Sequence, residues 1–149
     1  MKTIAVRTLL SVIIALGLTA CASGPKYKEV EASIPPLAAG KGRIYFFRSA
    51  NIFGSGIQPT VMLNGTQVGD SKPGGFFFVD RDPGNYEVLL STEVERKLTF
   101  TLASGQEQYV RMSVTLGVVV YRVYPELVDA ATGKSEMVDL SYTGPELKK

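Results

Sequence analysis

From Gly42 onward, short apolar segments are separated by turn residues at intervals of about 8–12 positions, the spacing of an all-β domain. Leu98, Phe100 and Leu102 alternate with polar residues, and a second alternating segment runs from Tyr109 to Leu116. Alternation with period two marks strands that bury one face. We therefore predict a single all-β sandwich of about seven to eight mostly antiparallel strands over residues 42–140. We also predict that these two alternating strands pair as a hairpin.

A second hairpin is predicted around Asn64-Gly65. This dipeptide supplies the two positive φ angles of a type I′ turn, which joins strands through a two-residue loop. In that register Leu63 lies opposite Thr66, and Val61 lies opposite Val68.

Phe76-Phe77-Phe78-Val79 is apolar without alternation, so we expect that one face of this predicted strand is not open to water. One interpretation is a central strand covered on both faces. The alternative is a partner surface formed by Phe77 with the apolar loop residues Ile52, Phe53 and Ile57.

Four segments together resemble a known family: Arg-Ile-Tyr-Phe-Phe-Arg at 43–48, Val-Met-Leu-Asn-Gly at 61–65, Gly-Gly-Phe-Phe at 74–77 and Asp-Pro-Gly-Asn-Tyr at 82–86. They are similar to domain-of-unknown-function family 2846, a family of bacterial lipoproteins. The resemblance covers about Lys41 to Asp129. It implies a compact β-sandwich like prealbumin-type or PEGA-type modules, tethered in the cell envelope. The family supplies no catalytic residues to carry over.

Residues 1–20 have the pattern of a signal peptide, with Lys2 and Arg7 before an apolar run that ends at Leu18. This run is shorter than the roughly 20 residues that span a bilayer. Leu18-Thr19-Ala20-Cys21 resembles the lipobox of bacterial lipoproteins, which implies a lipid on the Cys21 sulfur and cleavage before it. The protein would then bind a membrane through this lipid. An ordinary secretory signal with a chance cysteine is the alternative.

The position after the cysteine carries Ala22 and not the aspartate that retains enterobacterial lipoproteins in the inner membrane. We therefore expect an outer-membrane protein facing the periplasm. Residues 21–41 are predicted to be the lipidated N-terminus and a flexible linker, since they mix small, charged and proline residues without a period. Ile34–Leu37 is an apolar segment that we expect to dock on the domain. A short helix is predicted over Asp129–Leu140, followed by a polar tail at 141–149.

The composition limits the available chemistry. Without the leader, which contains Lys2, Arg7 and no acid, the 16 basic residues become 14 and equal the 14 acidic ones. A neutral chain gives no long-range attraction to phosphate, so we expect no nucleic-acid partner. The chain has no histidine, which excludes Ser-His and Cys-His nucleophile systems and the commonest zinc and copper ligand sets. We predict no metal and no cofactor; Asp80, Asp82 and Asn85 are interpreted as turn residues in preference to a calcium site.

The resulting functional prediction is a non-catalytic, lipid-anchored binding or assembly module whose partner is another envelope protein. Binding by strand addition at an exposed sheet edge is one mode. A hydrolase that uses carboxylates is an alternative, which requires Asp80, Asp82 or Glu87 to converge in a pocket. A structural or stress-related lipoprotein without a specific ligand is a further alternative.

Overall fold

Nine strands form two sheets within residues 21–91, 95–118 and 121–147, the part of the chain that the computed structural model describes. The five-stranded sheet has the order β8-β7-β1-β4-β9, and the four-stranded sheet has the order β3-β2-β5-β6. Neighbouring strands are antiparallel except for the parallel pairs β1–β7 and β4–β9. The strands are β1 Gly42–Phe47, β2 Thr60–Leu63, β3 Thr66–Asp70, β4 Gly75–Arg81, β5 Gly84–Ser91, β6 Glu95–Leu102, β7 Glu107–Leu116, β8 Tyr121–Val128 and β9 Ser141–Tyr142.

The two sheets pack face to face around an apolar core. β1 contributes Ile44 and Phe46 to this core, and β5 contributes Val88 and Leu90 from the opposite sheet. Burying these side chains between two sheets is the main stabilising contribution of a sandwich. The predicted all-β sandwich is confirmed, whereas the predicted signal peptide lies outside the described residues.

A second apolar cluster covers the outer face of the five-stranded sheet. It contains Tyr45 and Phe47 of β1, which alternate with the inward-facing Ile44 and Phe46. The layer above them is built from helix α1 (Tyr27–Val30), a 3₁₀ turn (Glu31–Ser33) and helix α2 (Ala130–Met137). β1 and β4 are therefore covered on both sides, which explains why their sequences are apolar without alternation.

Helix α2 confirms the predicted C-terminal helix. It begins at Asp129, whose carboxylate accepts hydrogen bonds from the Thr132 N–H at 2.9 Å and the Thr132 hydroxyl at 2.7 Å. Gly133 brings this helix directly onto the sheet, because a Cβ at this position would lie 2.6 Å from Cγ of Tyr109.

The Asn64-Gly65 hairpin is also confirmed, with φ angles of 48° at Asn64 and 75° at Gly65. Leu63 lies opposite Thr66 as predicted, but the pairing of Val61 with Val68 is wrong. A bulge after Val61 places Gly69 opposite it. A Cβ at Gly69 would lie 2.6 Å from Cζ of Phe77, so the aromatic ring occupies the space that a side chain on β3 would need.

The predicted hairpin between β6 and β7 is wrong. β6 pairs with β5 in one sheet, while β7 pairs with β1 and β8 in the other. The connecting turn is bonded to the start of β1: Gly105 N–H donates to the Lys41 carbonyl at 2.8 Å, and Arg43 N–H donates to the Gln106 carbonyl at 2.9 Å. These bonds hold the turn at which the chain passes from one sheet to the other.

The predictions of a flexible linker and of a separate polar tail are wrong, because the two segments bind each other and the sheet. Tyr27 N–H donates to the Leu140 carbonyl at 2.9 Å, and Tyr142 N–H donates to the Pro25 carbonyl at 2.9 Å. Tyr27 and Tyr142 are both buried in the outer cluster, which stabilises this arrangement. The expected docking of Ile34–Leu37 is confirmed, since Ile34 packs against this cluster and Arg43 Nη2 donates to the Pro35 carbonyl at 2.9 Å.

The tyrosines of the outer cluster indicate that the folded domain loses stability at alkaline pH. It holds Tyr27, Tyr45, Tyr109 and Tyr142, and desolvation by burial raises the pKa of each phenol, with Glu31 and Glu107 adding to the rise of the pKa at Tyr27 and Tyr109. A tyrosine whose pKa is raised by folding contributes stability that is fully present below the unfolded pKa of about 10. This contribution is lost as the pH rises through the raised pKa of the folded state. We expect the free energy of unfolding to be nearly constant between about pH 7 and 9 and to fall above about pH 10.

Urea unfolding at a series of pH values measures this effect. A Tyr27→Phe/Tyr109→Phe variant retains both rings but cannot ionise there, so its stability should fall less steeply with pH. The same alkaline slope in wild type and double variant would contradict the prediction.

Candidate functional site

Cys21 is exposed and carries a free thiol at the edge of a shallow depression lined by Lys72 and Thr143. The chain is bonded to the domain immediately after it, because the Ala22 N–H donates to the Pro73 carbonyl at 3.0 Å. Further along, Lys26 Nζ donates to Ser141 Oγ at 3.0 Å. Cys21 is therefore held beside the turn that precedes β4, because the residue directly after it makes the first bond to the domain. Its lipidation stays a prediction.

Among the residues that the structure describes, four large apolar side chains project into solvent at this end of the sandwich, which we call the apolar end. Ile52 and Phe53 lie in the loop between β1 and β2 and are 82% and 59% exposed. Leu116 and Val118 lie on the β7–β8 hairpin and are 72% and 87% exposed. The two loops touch: the ring centroids of Phe53 and Tyr121 are 6.0 Å apart, and Tyr121 pairs with Leu116 in the hairpin. Large exposed apolar groups clustered in this way mark an interaction surface.

Arg48 holds the first of these loops in place. Its side chain is buried, yet its guanidinium donates to three backbone carbonyls: Nη1 to Ile57 at 2.6 Å and Ser71 at 3.0 Å, and Nη2 to Gly54 at 2.8 Å. Burial lowers the pKa of Arg48 from its ordinary value. The planar fork of an arginine suits this task, because it reaches carbonyls on both sides of the loop.

The predicted partner surface is only partly present at the protein surface. Ile52 and Phe53 are exposed, and their role as a contact surface stays a prediction. Ile57 is half-buried and packs against the core between the sheets. The prediction for Phe77 is wrong: its side chain is 3% exposed and its ring stacks on Phe46 at a centroid distance of 5.0 Å. Leu116 and Val118 were not predicted as surface residues, because alternation along β7 does not show where this strand extends beyond the sheet packed against it.

A polar cluster on β7, β8 and α2 was also missed by the sequence analysis. Arg111 donates from Nε to Glu126 at 2.9 Å and from Nη1 to Glu136 at 2.6 Å, and the Ser113 hydroxyl donates to Glu126. The Ser113 and Arg111 donors lower the pKa of Glu126. The Arg111–Glu136 bond ties α2 to the sheet, because Glu136 lies on α2 and Arg111 lies on β7. Arg111 and Glu126 lie opposite each other in the β7–β8 register, so correct strand pairing would have revealed them.

The carboxylates considered for catalysis or calcium binding are each bound to a different group. Asp80 accepts two hydrogen bonds from the buried Arg43, at 2.6 Å to Nε and 2.8 Å to Nη2. Asp82 pairs with Lys41 at 2.8 Å, and Glu87 pairs with Lys97 at 3.4 Å. The Asn85 amide oxygen accepts a hydrogen bond from the Thr101 hydroxyl. These groups do not converge on a common site, so the hydrolase alternative loses the geometry that it requires.

In residues 21–91, 95–118 and 121–147, no three histidine, cysteine, aspartate or glutamate side chains are grouped to hold a metal ion. Over the same ranges, no helix has the length and hydropathy needed to cross a membrane.

The chain matches a known protein family. The model of a family described as "Protein of unknown function (DUF2846)" matches residues 38–125, more than half of the 149-residue chain. The matched part begins just before β1 and ends within β8, so it contains the two loops of the apolar end. Neither the curated proteins nor the solved structures contain a match to the chain. On the extent of the family match, the chain belongs to the DUF2846 family of proteins of unknown function.

Proposed function

We propose that this protein is a lipid-anchored component of the bacterial envelope, in which the β-sandwich is a non-catalytic binding module. The observation that carries the proposal is Leu18-Thr19-Ala20-Cys21, placed directly after an apolar leader. The exposure of Cys21 supports it, since the enzymes that attach a lipid and cleave the leader require access to this residue. Two or more acyl chains at Cys21 would make the anchor stable, because each buried methylene contributes about 0.8 kcal/mol.

The proposed location is the outer membrane, with the domain facing the periplasm. Ala22 supports this location because it replaces the aspartate of the inner-membrane retention signal. The lack of a disulfide partner for Cys21 is consistent with its use as a lipid carrier, as it is the only cysteine in the sequence.

A binding role is supported by where the exposed and the engaged groups lie. The acidic groups considered for catalysis are held in ion pairs, as described for Asp80 and Arg43. The apolar end, in contrast, presents large side chains that contact little of the described domain. Covering an exposed apolar surface with another surface is favourable, because it removes apolar groups from water. Such a surface is therefore better suited to binding than to chemistry on a small molecule. We therefore place the binding activity at the apolar end.

Metabolic labelling with palmitate tests the anchor. Wild type and a Ser23→Ala control, which changes a residue outside the lipobox, are expected to incorporate label and to sediment with membranes. Cys21→Ala is expected to lose the label entirely, because the sulfur that carries the lipid is gone. A wild-type protein that is secreted but unlabelled would contradict the proposal and favour an ordinary secretory signal.

A further inference from the structure

We propose that the partner of the apolar end is the bilayer itself: the loops that carry Ile52, Phe53, Leu116 and Val118 insert into the membrane that holds the Cys21 lipid. The domain then rests on the membrane surface and does not extend away from it. This inference rests on the proposed lipid anchoring, and it names the partner of the proposed binding module.

The first support is the length of the tether. A flexible coil of 20 residues would reach roughly 25 Å and hold the domain clear of the lipid. In the structure Cys21 is followed directly by Ala22, whose N–H is bonded to the Pro73 carbonyl, and one residue spans at most about 4 Å. A lipid on Cys21 therefore brings the start of β4 to the membrane surface.

The second support is the place of the apolar end relative to Cys21. The turn bonded to Ala22 continues into Gly74, where a Cβ would lie 3.2 Å from the Cβ of Ala50. Ile52 is two residues further along. The loop then contacts the β7–β8 hairpin, because a Cβ at Gly54 would lie 3.2 Å from the Cβ of Tyr121. Short contacts thus connect the anchor residue to both apolar loops at one end of the sandwich.

The third support is the charge pattern. The sequence contains no charged residue between Arg48 and Asp70, and none between Arg111 and Arg122. Both loops can therefore enter an apolar medium without desolvating a charge, which is the main cost of insertion. Lys72 is exposed beside Cys21, and a lysine at this level suits the anionic headgroup region. The β5–β6 hairpin, which lies at the same end, carries the exposed Glu95, Arg96 and Lys97 and would stay among the headgroups.

The opposite end of the sandwich has a different surface. Its turns include Asn64-Gly65, Asp82-Pro83 and Ser104-Gly105, which are polar or charged. Within the described ranges, the other large apolar residues at the surface are Leu127 and Val138, which are each only 39% exposed. The asymmetry gives the domain one end suited to lipid and one suited to water, as in other proteins that lie on a membrane interface.

The absence of tryptophan from the sequence permits a direct test. Phe53→Trp and Val118→Trp each place one fluorophore at the apolar end, and Ser104→Trp places one at the opposite end as the matched control. The lipidated full-length protein is reconstituted into phosphatidylcholine–phosphatidylglycerol vesicles with and without a lipid that carries a quencher near the headgroups. Palmitate incorporation is measured on the same preparations.

We expect the Phe53→Trp and Val118→Trp emission to shift to shorter wavelength and to fall by roughly half with the quencher, since inserted loops lie about 5–10 Å into the headgroup and acyl boundary. The Ser104→Trp emission should not change. Using two apolar positions guards against a variant that fails to fold. Labelled protein whose Phe53→Trp and Val118→Trp emission stays water-like would overturn the inference while leaving the anchor intact.

Two further outcomes separate the remaining possibilities. Unlabelled wild-type protein would refute the anchor and, with it, this inference. The tryptophan of the Phe53→Trp variant could instead be shielded from an aqueous quencher in native membranes but not quenched by the quencher-carrying lipid in vesicles. That result would show that the partner of the apolar end is an envelope protein, and it would overturn the inference that the partner is the bilayer.

Discussion

Replacing Phe77 with alanine is expected to lower the free energy of unfolding by about 3–5 kcal/mol. The Phe77 ring lies between the sheets, where it stacks on Phe46 and fills the space beneath Gly69. Truncation removes the apolar transfer contribution of the ring and leaves a cavity that neighbouring strands cannot close. For a domain with a total stability of about 5–15 kcal/mol, this loss is a large fraction. Urea denaturation measures it directly.

Phe53→Ala is the matched control, because it removes the same ring from an exposed position. Its expected cost is within about 0.5 kcal/mol. The pair distinguishes a core residue from a surface residue, whereas the alternative interpretation of the sequence placed both residues on one partner surface. A Phe77→Ala protein as stable as Phe53→Ala would show that Phe77 is not part of the core.

Strand formation could be predicted from the sequence because it depends on local patterns. Alternation located β6 and β7, and Asn64-Gly65 fixed the β2–β3 turn, since both signals reside within a few residues. Partner choice could not be predicted in the same way. The same alternating pattern fits an inner strand of either sheet, so nothing local showed that the chain crosses between sheets after β6.

The outer cluster shows a second limit of local reasoning. Residues 21–41 have no period, which predicts a flexible linker, yet Tyr27 and Val30 pack against a sheet face formed by distant strands. The apolar character of Phe76–Phe78 did indicate a strand covered on both faces, but not what covers it. That cover is supplied jointly by α1 and by residues near the C-terminus, which is a tertiary fact.

The candidate site was recognised where it depends on single exposed residues. Cys21, Ile52 and Phe53 stand out because of the residues around them in sequence. Leu116 and Val118 were hidden by a pattern that also fits a buried strand face. Their hairpin contacts the Phe53 loop through Tyr121, and this contact depends on the β1–β7 pairing. Arg48 was not identified at all, because a lone arginine after a strand gives no signal that it will be buried.

Arg48→Met is expected to lower the free energy of unfolding by about 2–4 kcal/mol and to loosen the loop that carries Ile52 and Phe53. Three hydrogen bonds from a charged donor contribute about 1.5–3 kcal/mol each, and burying the guanidinium costs several kcal/mol in return. We expect a net loss of stability, because the substitution also leaves the carbonyls of Gly54, Ile57 and Ser71 without their donor. Urea denaturation measures the stability, and limited proteolysis within residues 49–58 measures the order of the loop.

Arg48→Lys separates charge from geometry, because a single ammonium cannot reach carbonyls on both sides of the loop as the guanidinium fork does. We expect it to restore less than half of the lost stability and to leave the loop open to protease. Arg96→Met, which removes an exposed arginine on β6, is the control and should change stability by about 0.5 kcal/mol or less. Full recovery with lysine would mean that a buried positive charge is sufficient at this position. Because the Arg48 bonds fix the conformation from which Phe53 projects, a loosened loop should also reduce the proposed contact of the apolar end with the bilayer. Arg48 itself is 1% exposed and cannot make this contact.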